Sequence, residues 1–201
     1  MSQHESYETE VKLLVTDHAA VEARLSALGA DVVAPRVLER NARLDTPDRQ
    51  LGARRQVLRL RADAHFRLTF KSEADSVVDG IIRREEYEVT VSDYDALQTI
   101  LARLGFIPYM TYEKYRTTYH YAETEIVLDE LPYGRFVEIE GDHAAIEQVI
   151  RALDLSAAPR IAASYTAIFE QVRQALGLTF TDLSFANFEG ISVPWEVLAA
   201  V

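Results

Sequence analysis

The sequence predicts an α+β fold: a closed eight-stranded antiparallel β-barrel with helices packed outside. Three observations carry that expectation. About eight stretches have period two or strong β composition, and four others have helical spacing with recognisable ends. The β stretches also share a peculiarity, a bulky apolar face opposed to a face of paired charges.

The first strand covers 7–15 and begins YETEVKL, which sends Glu8, Glu10 and Lys12 to one face and Thr9, Val11 and Leu13 to the other. A helix over 17–28 opens at Asp17 and closes on Gly29. Strands follow at about 34–45, 54–62 and 65–72, the last two reading as an antiparallel hairpin around the polar turn RADAH. A strand at 81–91 leads into a helix at 93–104 that ends at Gly105. Three more strands are expected at 110–120, 122–129 and 135–140. A helix over 142–153 opens at Asp142, and another over 160–176 lies between Pro159 and Gly177. No linker or composition break divides the chain, so 1–201 reads as one domain. The aromatic, apolar stretch 178–201 is expected to pack on the barrel, with Phe188 and Trp195 as anchors.

Sorting the other strands by parity repeats the pattern of the first. Arg59 and Arg61 oppose Leu58 and Leu60; Arg67, Thr69 and Lys71 oppose Phe66, Leu68 and Phe70. Arg84, Glu86 and Glu88 fall together, as do Lys114 with Arg116, Glu125 and Val127 with Asp129, and Glu138 with Glu140. On an open sheet this face would be solvated and laced with salt bridges. In a closed barrel it becomes a lumen, where unpaired charge is heavily penalised. Carboxylates there would collect a divalent metal through hard oxygen ligands, and the bases would hold a polyanion. A metal–polyphosphate complex meets both needs.

Composition narrows the partners. The formal net charge of −11 argues against a nucleic acid polymer, which needs a broad basic surface, but leaves room for a small anion in a basic pocket. The absence of cysteine rules out thiol chemistry. No apolar run approaches the ~18 residues of a membrane span and the first residues lack a secretory signal, so no membrane association and a cytoplasmic location are expected. The five histidines, His4, His18, His65, His120 and His143, show no shared metal-ligand spacing; His18 and His143 read as surface residues of helix first turns. The glycines follow no phosphate-loop pattern.

Glu8-x-Glu10-x-Lys12, LDTPDRQLGARRQVLRLR at 44–61, LTFK at 68–71, RREEYEV at 83–89, EKYR at 113–116 and LDELPYGRFVEIEG at 128–141 together resemble the CYTH superfamily, the triphosphate tunnel metalloenzymes. That group includes class IV adenylyl cyclases, thiamine triphosphatases and inorganic triphosphatases. The resemblance implies a tunnel holding a small triphosphate-bearing substrate with Mg²⁺ or Mn²⁺. It implies metal binding by Glu8, Glu10, Glu138 and Glu140, with Asp129 and Glu88 as helpers, and phosphate binding by Lys12, Arg59, Arg61, Lys71, Arg84, Lys114 and Arg116. Arg67, on the same face by parity, joins the substrate-binding set. Glu8, Glu10, Lys12, Lys71, Arg116 and Glu138 are the expected catalytic group. Glu86 is expected to order the bases. Hydrolysis of a linear triphosphate is favoured, with inorganic tripolyphosphate the best substrate, because no group for a base or thiazole ring stands out. Adenylyl cyclisation of ATP, thiamine triphosphate hydrolysis and non-catalytic triphosphate binding are the alternatives. Leu44, where relatives carry an aromatic residue, counts against the thiamine reading. Tyr165 resembles a family tyrosine but also reads as core. A homodimer is left open.

Overall fold

A computed structural model describes residues 7–200; His4 lies outside them. Eight strands, β1 (Tyr7–Val15), β2 (Asp31–Asp45), β3 (Val57–Ala62), β4 (Phe66–Val78), β5 (Ile81–Val91), β6 (Ile107–Tyr121), β7 (Thr124–Leu131) and β8 (Gly134–Glu140), form one antiparallel sheet. Their order is β1-β5-β4-β3-β2-β6-β7-β8, with β8 paired back onto β1. The helices are α1 (Ala19–Ala27), α2 (Gln50–Ala53), α3 (Tyr94–Arg103), α4 (His143–Ala152), α5 (Tyr165–Leu176) and α6 (Trp195–Ala199).

The expected closed barrel with helices packed outside needs correcting in two respects. First, the wall is not strand on strand over its whole height. β1 pairs with β5 only from Tyr7 to Val11. Above that point residues 159–161 take over: Leu14 N–H donates to Pro159 O at 2.9 Å, and Ile161 N–H donates to Lys12 O at 2.8 Å. This pairing is why α5 begins at Tyr165, capped by Ser164, and not at 160 as its spacing suggests. Second, the inner face is not polar throughout. Leu14, Tyr112, Leu131 and Phe136 share the parity of the charged residues, yet they pack in one buried cluster with Ile161, Tyr165, Ile168 and Phe169 of α5 and its approach. Leu183, Phe188 and Leu198 complete that cluster. One helix and the C-terminal segment therefore cover part of a barrel end instead of its outside. Trp195, an expected anchor, is 37% exposed, while Phe188 is buried.

The outward face behaves as its pattern requires. Val11, Leu13, Ile126, Leu128, Val137 and Ile139 pack against α1 and α4 through Val21, Leu25, Ile146, Val149 and Ile150. A smaller cluster joins Leu44, Leu58 and Leu60 to Leu101 of α3. Leu44 thus faces away from the lumen, and the missing aromatic there alters the outer packing. Asp45 organises the turn after β2: its carboxylate accepts from the backbone of Thr46, Leu51 and Gly52 at 2.7–2.9 Å.

Two residues carry testable packing consequences. Gly80, in the β4–β5 turn, has φ +77°, and a Cβ there would lie 2.7 Å from the Cβ of Arg160. Arg160 is itself tied to Asp79 O and Glu147. Gly80→Ala combines left-handed strain with this overlap and should cost about 1–3 kcal/mol in urea unfolding. A loss under about 0.5 kcal/mol would show that the turn relaxes freely.

His18 differs from its expected surface position. It precedes α1 as a buried residue, with Nε2 3.0 Å from Phe136 O, so the neutral ring carries its proton there. Burial lowers its pKa, outweighing the raising effect of the Phe136 carbonyl. As pH falls below ~6.5 the unfolded chain takes up a proton that the folded one refuses, so this group's contribution to stability declines. His18→Gln should lose less stability than the parent between pH 7.5 and 5.5; an identical loss would refute the assignment.

Candidate active site

The charged residues singled out by parity meet in one cavity of about 180 Å³ inside the barrel. Strand β1 supplies Glu8, Glu10 and Lys12; β3 supplies Arg59 and Arg61; β4 supplies Lys71. Arg84, Glu86 and Glu88 come from β5, Lys114 and Arg116 from β6, and Glu138 and Glu140 from β8. Two expected members stand off its surface. Arg67 donates to Asp63 at 3.0 Å and lies 3.6 Å from Glu88. Asp129 is fully buried and accepts from Lys114 Nζ at 2.9 Å, from both Arg116 Nε and Nη2, and from Tyr165 Oη at 2.9 Å.

Strand order sorts the lining by sign. Neighbouring strands β4, β3, β2 and β6 contribute Lys71, Arg59, Arg61, Arg43, Lys114 and Arg116 to the cavity. Across from them β7, β8 and β1 contribute Glu125, Glu138, Glu140, Glu8 and Glu10, with Lys12 as their one base. Strand β5 carries both signs. A chain that is acidic overall thus concentrates its bases along one wall, where a polyanion would feel them through a poorly hydrated path.

The two walls are tied by ion pairs. Lys71 Nζ lies 2.7 Å from Glu8 and 2.6 Å from Glu86. Arg84 bonds Glu10, Arg61 bonds Glu88 at 3.0 Å and Glu39 at 3.2 Å, and Glu138 sits 2.7 Å from Arg116 and 3.3 Å from Lys12. Burial raises the Glu138 pKa, but Lys12, Arg116 and Lys114 outweigh it and hold the carboxyl well below the usual range. Burial likewise opposes the charge on Lys71, and Glu8, Glu10 and Glu86 more than offset it. Glu8 goes the other way: desolvation lifts its pKa, and a hydrogen bond shared with Glu86 lifts it further.

Glu140 is the least compensated acid. It pairs across the sheet with Glu10 on one side and Glu125 on the other, three carboxylates in a row with no base between them. Desolvation, then Glu8, Glu125 and Glu10, push its pKa up to about 8. Carboxylate oxygens suit a hard divalent cation in chemical type. Among the described residues no three acidic or imidazole groups converge as a ready-made metal centre. The acids fit a divalent cation in chemical type, with Glu8 and Glu10 now held by Lys71 and Arg84.

Several lining residues were overlooked in the sequence. Arg43 lines the cavity from β2, and Glu39 and Asn41 lie buried behind it on the same face; VLERNARLD alternates as regularly as any other strand, and sorting it by parity finds all three. Glu39 and Asn41 are each 2% exposed, and the Asn41 amide has no hydrogen-bond partner among the described residues. Tyr112 shares the parity of Lys114 and Arg116, and its hydroxyl accepts from Arg59 at 3.2 Å in the lumen. Ser164, Tyr165 and Thr166 reach the cavity from the start of α5. The Tyr165 ring lies 4.5 Å from Lys12 Nζ and 5.3 Å from Lys114 Nζ, so the residue belongs to both core and site. No local signal placed α5 there.

An antiparallel barrel whose lumen is walled by acids on one side and bases on the other defines a class, and the comparisons agree with it. Residues 6–164 match the CYTH domain model, and the chain belongs to that family. A Methanocaldococcus jannaschii protein provisionally named an adenylate cyclase is 27% identical over 150 residues, 73% of this chain and 83% of that protein. The structure of a Vibrio parahaemolyticus protein, provisionally named likewise, matches with a TM-score of 0.72 and 23% identity, covering 82% of this chain and 98% of the other. A Hippeastrum protein provisionally named an adenylyl cyclase, and described as having a dominant triphosphatase activity, matches with a TM-score of 0.60 and 20% identity over 81% of this chain and 95% of its own. The family acts on triphosphate substrates, as cyclase or triphosphatase, and its members typically use divalent metal ions. Among the described residues no helix is long and apolar enough to cross a membrane.

Proposed function

We propose that this chain is a metal-dependent hydrolase of a linear triphosphate, with inorganic tripolyphosphate the favoured substrate. The observation that carries the reading is the opposition of the two walls: a basic one that fits phosphoryl oxygens and an acidic one, where Glu140 lies between Glu10 and Glu125, that fits a cation. A triphosphate with its counter-cation would replace the present ion pairs with stronger ones on both sides.

Arg59, Arg61, Lys71, Arg84, Lys114 and Arg116 then hold the phosphate chain, and Lys12 bridges from the acidic wall. Glu8, Glu10, Glu138 and Glu140 would hold Mg²⁺ or Mn²⁺, with Glu88 at the edge of the set. When bound, that ion polarises phosphoryl oxygens and makes a nearby water more acidic. Water attacks the terminal phosphorus in line, the bond to the bridging oxygen breaks, and orthophosphate and pyrophosphate leave. The guanidinium groups of Arg59, Arg61 and Arg116 stabilise charge spreading over the equatorial oxygens. Their partners Glu39 and Asp129, which do not line the cavity, keep them oriented.

Cyclisation of ATP is the second reading, favoured by the name of the Methanocaldococcus jannaschii relative. It would use the same groups with the α-phosphorus in the reacting position. Purified protein with Mg²⁺ or Mn²⁺ should be given tripolyphosphate, ATP and thiamine triphosphate in parallel. Orthophosphate from tripolyphosphate, released at least as fast as from either organic substrate, is the expected result. Cyclic AMP with stoichiometric pyrophosphate as the dominant product would overturn hydrolysis in favour of the cyclase. Tight triphosphate binding with no product would leave a binding module.

A further inference from the structure

Arg43 is a base of the lumen that the ion-pair network leaves out. Each base assigned to the phosphate chain has a carboxylate partner, the longest pairing being Arg59 with Glu88 at 3.8 Å. Arg43 has none among the described residues. Its Nη1 donates to the Thr166 hydroxyl at 3.2 Å, and its buried Nε has no hydrogen-bond partner among them. A lumen guanidinium with a neutral partner and an orphaned donor is open to an anion supplied from outside.

The position of Arg43 along the lumen decides which part of that anion it meets. Leu14, Tyr112, Leu131 and Phe136 face inward and pack with α5, so they mark the end of the lumen that α5 covers. Two residues along β1 and β8 come Lys12 and Glu138, and two further come Glu10 and Glu140, away from that end. Tyr112 is the cross-strand partner of Asn41, and Met110, which packs against the α5 cluster, is the partner of Arg43. Arg43 therefore stands at the α5 end, and the acids Glu10 and Glu140 lie towards the other.

Resting on the reading that the lumen holds a triphosphate, we propose that Arg43 is a specificity-determining residue that binds the second terminal phosphoryl group of inorganic tripolyphosphate. The phosphoryl group attacked by water lies with the acids, and the group at the opposite end of the chain reaches Arg43. In tripolyphosphate that group is a free terminal phosphoryl, fully charged and open to a guanidinium fork. In a nucleoside or thiamine triphosphate the same position is an ester, with one oxygen blocked and less charge. Thr166 is a positioning residue: its hydroxyl holds the guanidinium without adding a counter-charge that the substrate would have to displace. Arg43 takes no part in breaking the terminal bond.

Calorimetric binding of tripolyphosphate and of ATP to the full chain, with Ca²⁺ in place of Mg²⁺, tests this. Arg43→Gln should weaken tripolyphosphate roughly tenfold and leave ATP within about twofold of the parent. Arg43→Lys, which keeps the charge and loses the fork, should fall between, and Thr166→Val should weaken tripolyphosphate alone, by roughly threefold. Retained ATP binding certifies that the variants are folded. Unchanged tripolyphosphate affinity in Arg43→Gln, or equal weakening of both ligands, would overturn the assignment. A parent protein that binds neither ligand would instead overturn the triphosphate reading of the lumen, and the role of Arg43 with it.

Discussion

Turnover of the triphosphate substrate should fall by roughly 100-fold or more in the Glu10→Gln variant, with thermal stability close to that of the parent. Glu10 is 7% exposed, lies on the lumen face of β1 and is bonded to Arg84. Glutamine keeps the shape and one acceptor, so the packing of β1 survives, but a cation loses an anionic ligand beside Glu140. Glu8→Gln should behave alike, and EDTA should abolish activity of the parent. Glu22, exposed on α1, is the control, and Glu22→Gln should turn over normally. Activity that persists in EDTA, or a Glu10→Gln enzyme near the parental rate, would remove these carboxylates from the metal site.

The second large effect is expected at Asp129, and on stability. Lys114, Arg116 and Tyr165 all donate to its two oxygens, and it is completely buried. Every acceptor position is committed to cations and a hydroxyl that need a neutralising partner. Asp129→Asn leaves Lys114 and Arg116 with Glu39 and Glu138 as their remaining counter-charges, and should cost about 3 kcal/mol. Urea unfolding at constant pH measures it. Adding Lys114→Gln should recover part of the loss, since one uncompensated charge is removed. If Asp129→Asn keeps its stability and instead weakens metal binding, Asp129 is a ligand as its motif implies, not the clamp that its hydrogen bonds suggest.

Residues far apart in the chain show how the fold and the site divided between local and tertiary information. The placement of Glu8, Glu10, Lys12, Arg59, Lys71 and Glu138 on one face follows from the pleat, which fixes side-chain direction with period two whatever the neighbouring strand does. That made the strands and most of the lining readable directly, and β2 with Glu39, Asn41 and Arg43 would have been readable the same way. Helix ends were legible where a side chain caps them, as at Asp93. They misled where tertiary pairing outcompeted local propensity, as at 160–163.

What the sequence alone determined is therefore the inventory of the lumen: which charges face inward, and that acids and bases share that face. Only the tertiary structure decided their arrangement. Strand order put bases on β4-β3-β2-β6 opposite acids on β7-β8-β1, and long-range contacts brought Tyr165 to Asp129 and His18 to Phe136. The same contacts brought the start of α5 to the lumen. Side-chain direction is a property of one residue's backbone, whereas a partner across the barrel depends on which distant segments the whole chain can pack together.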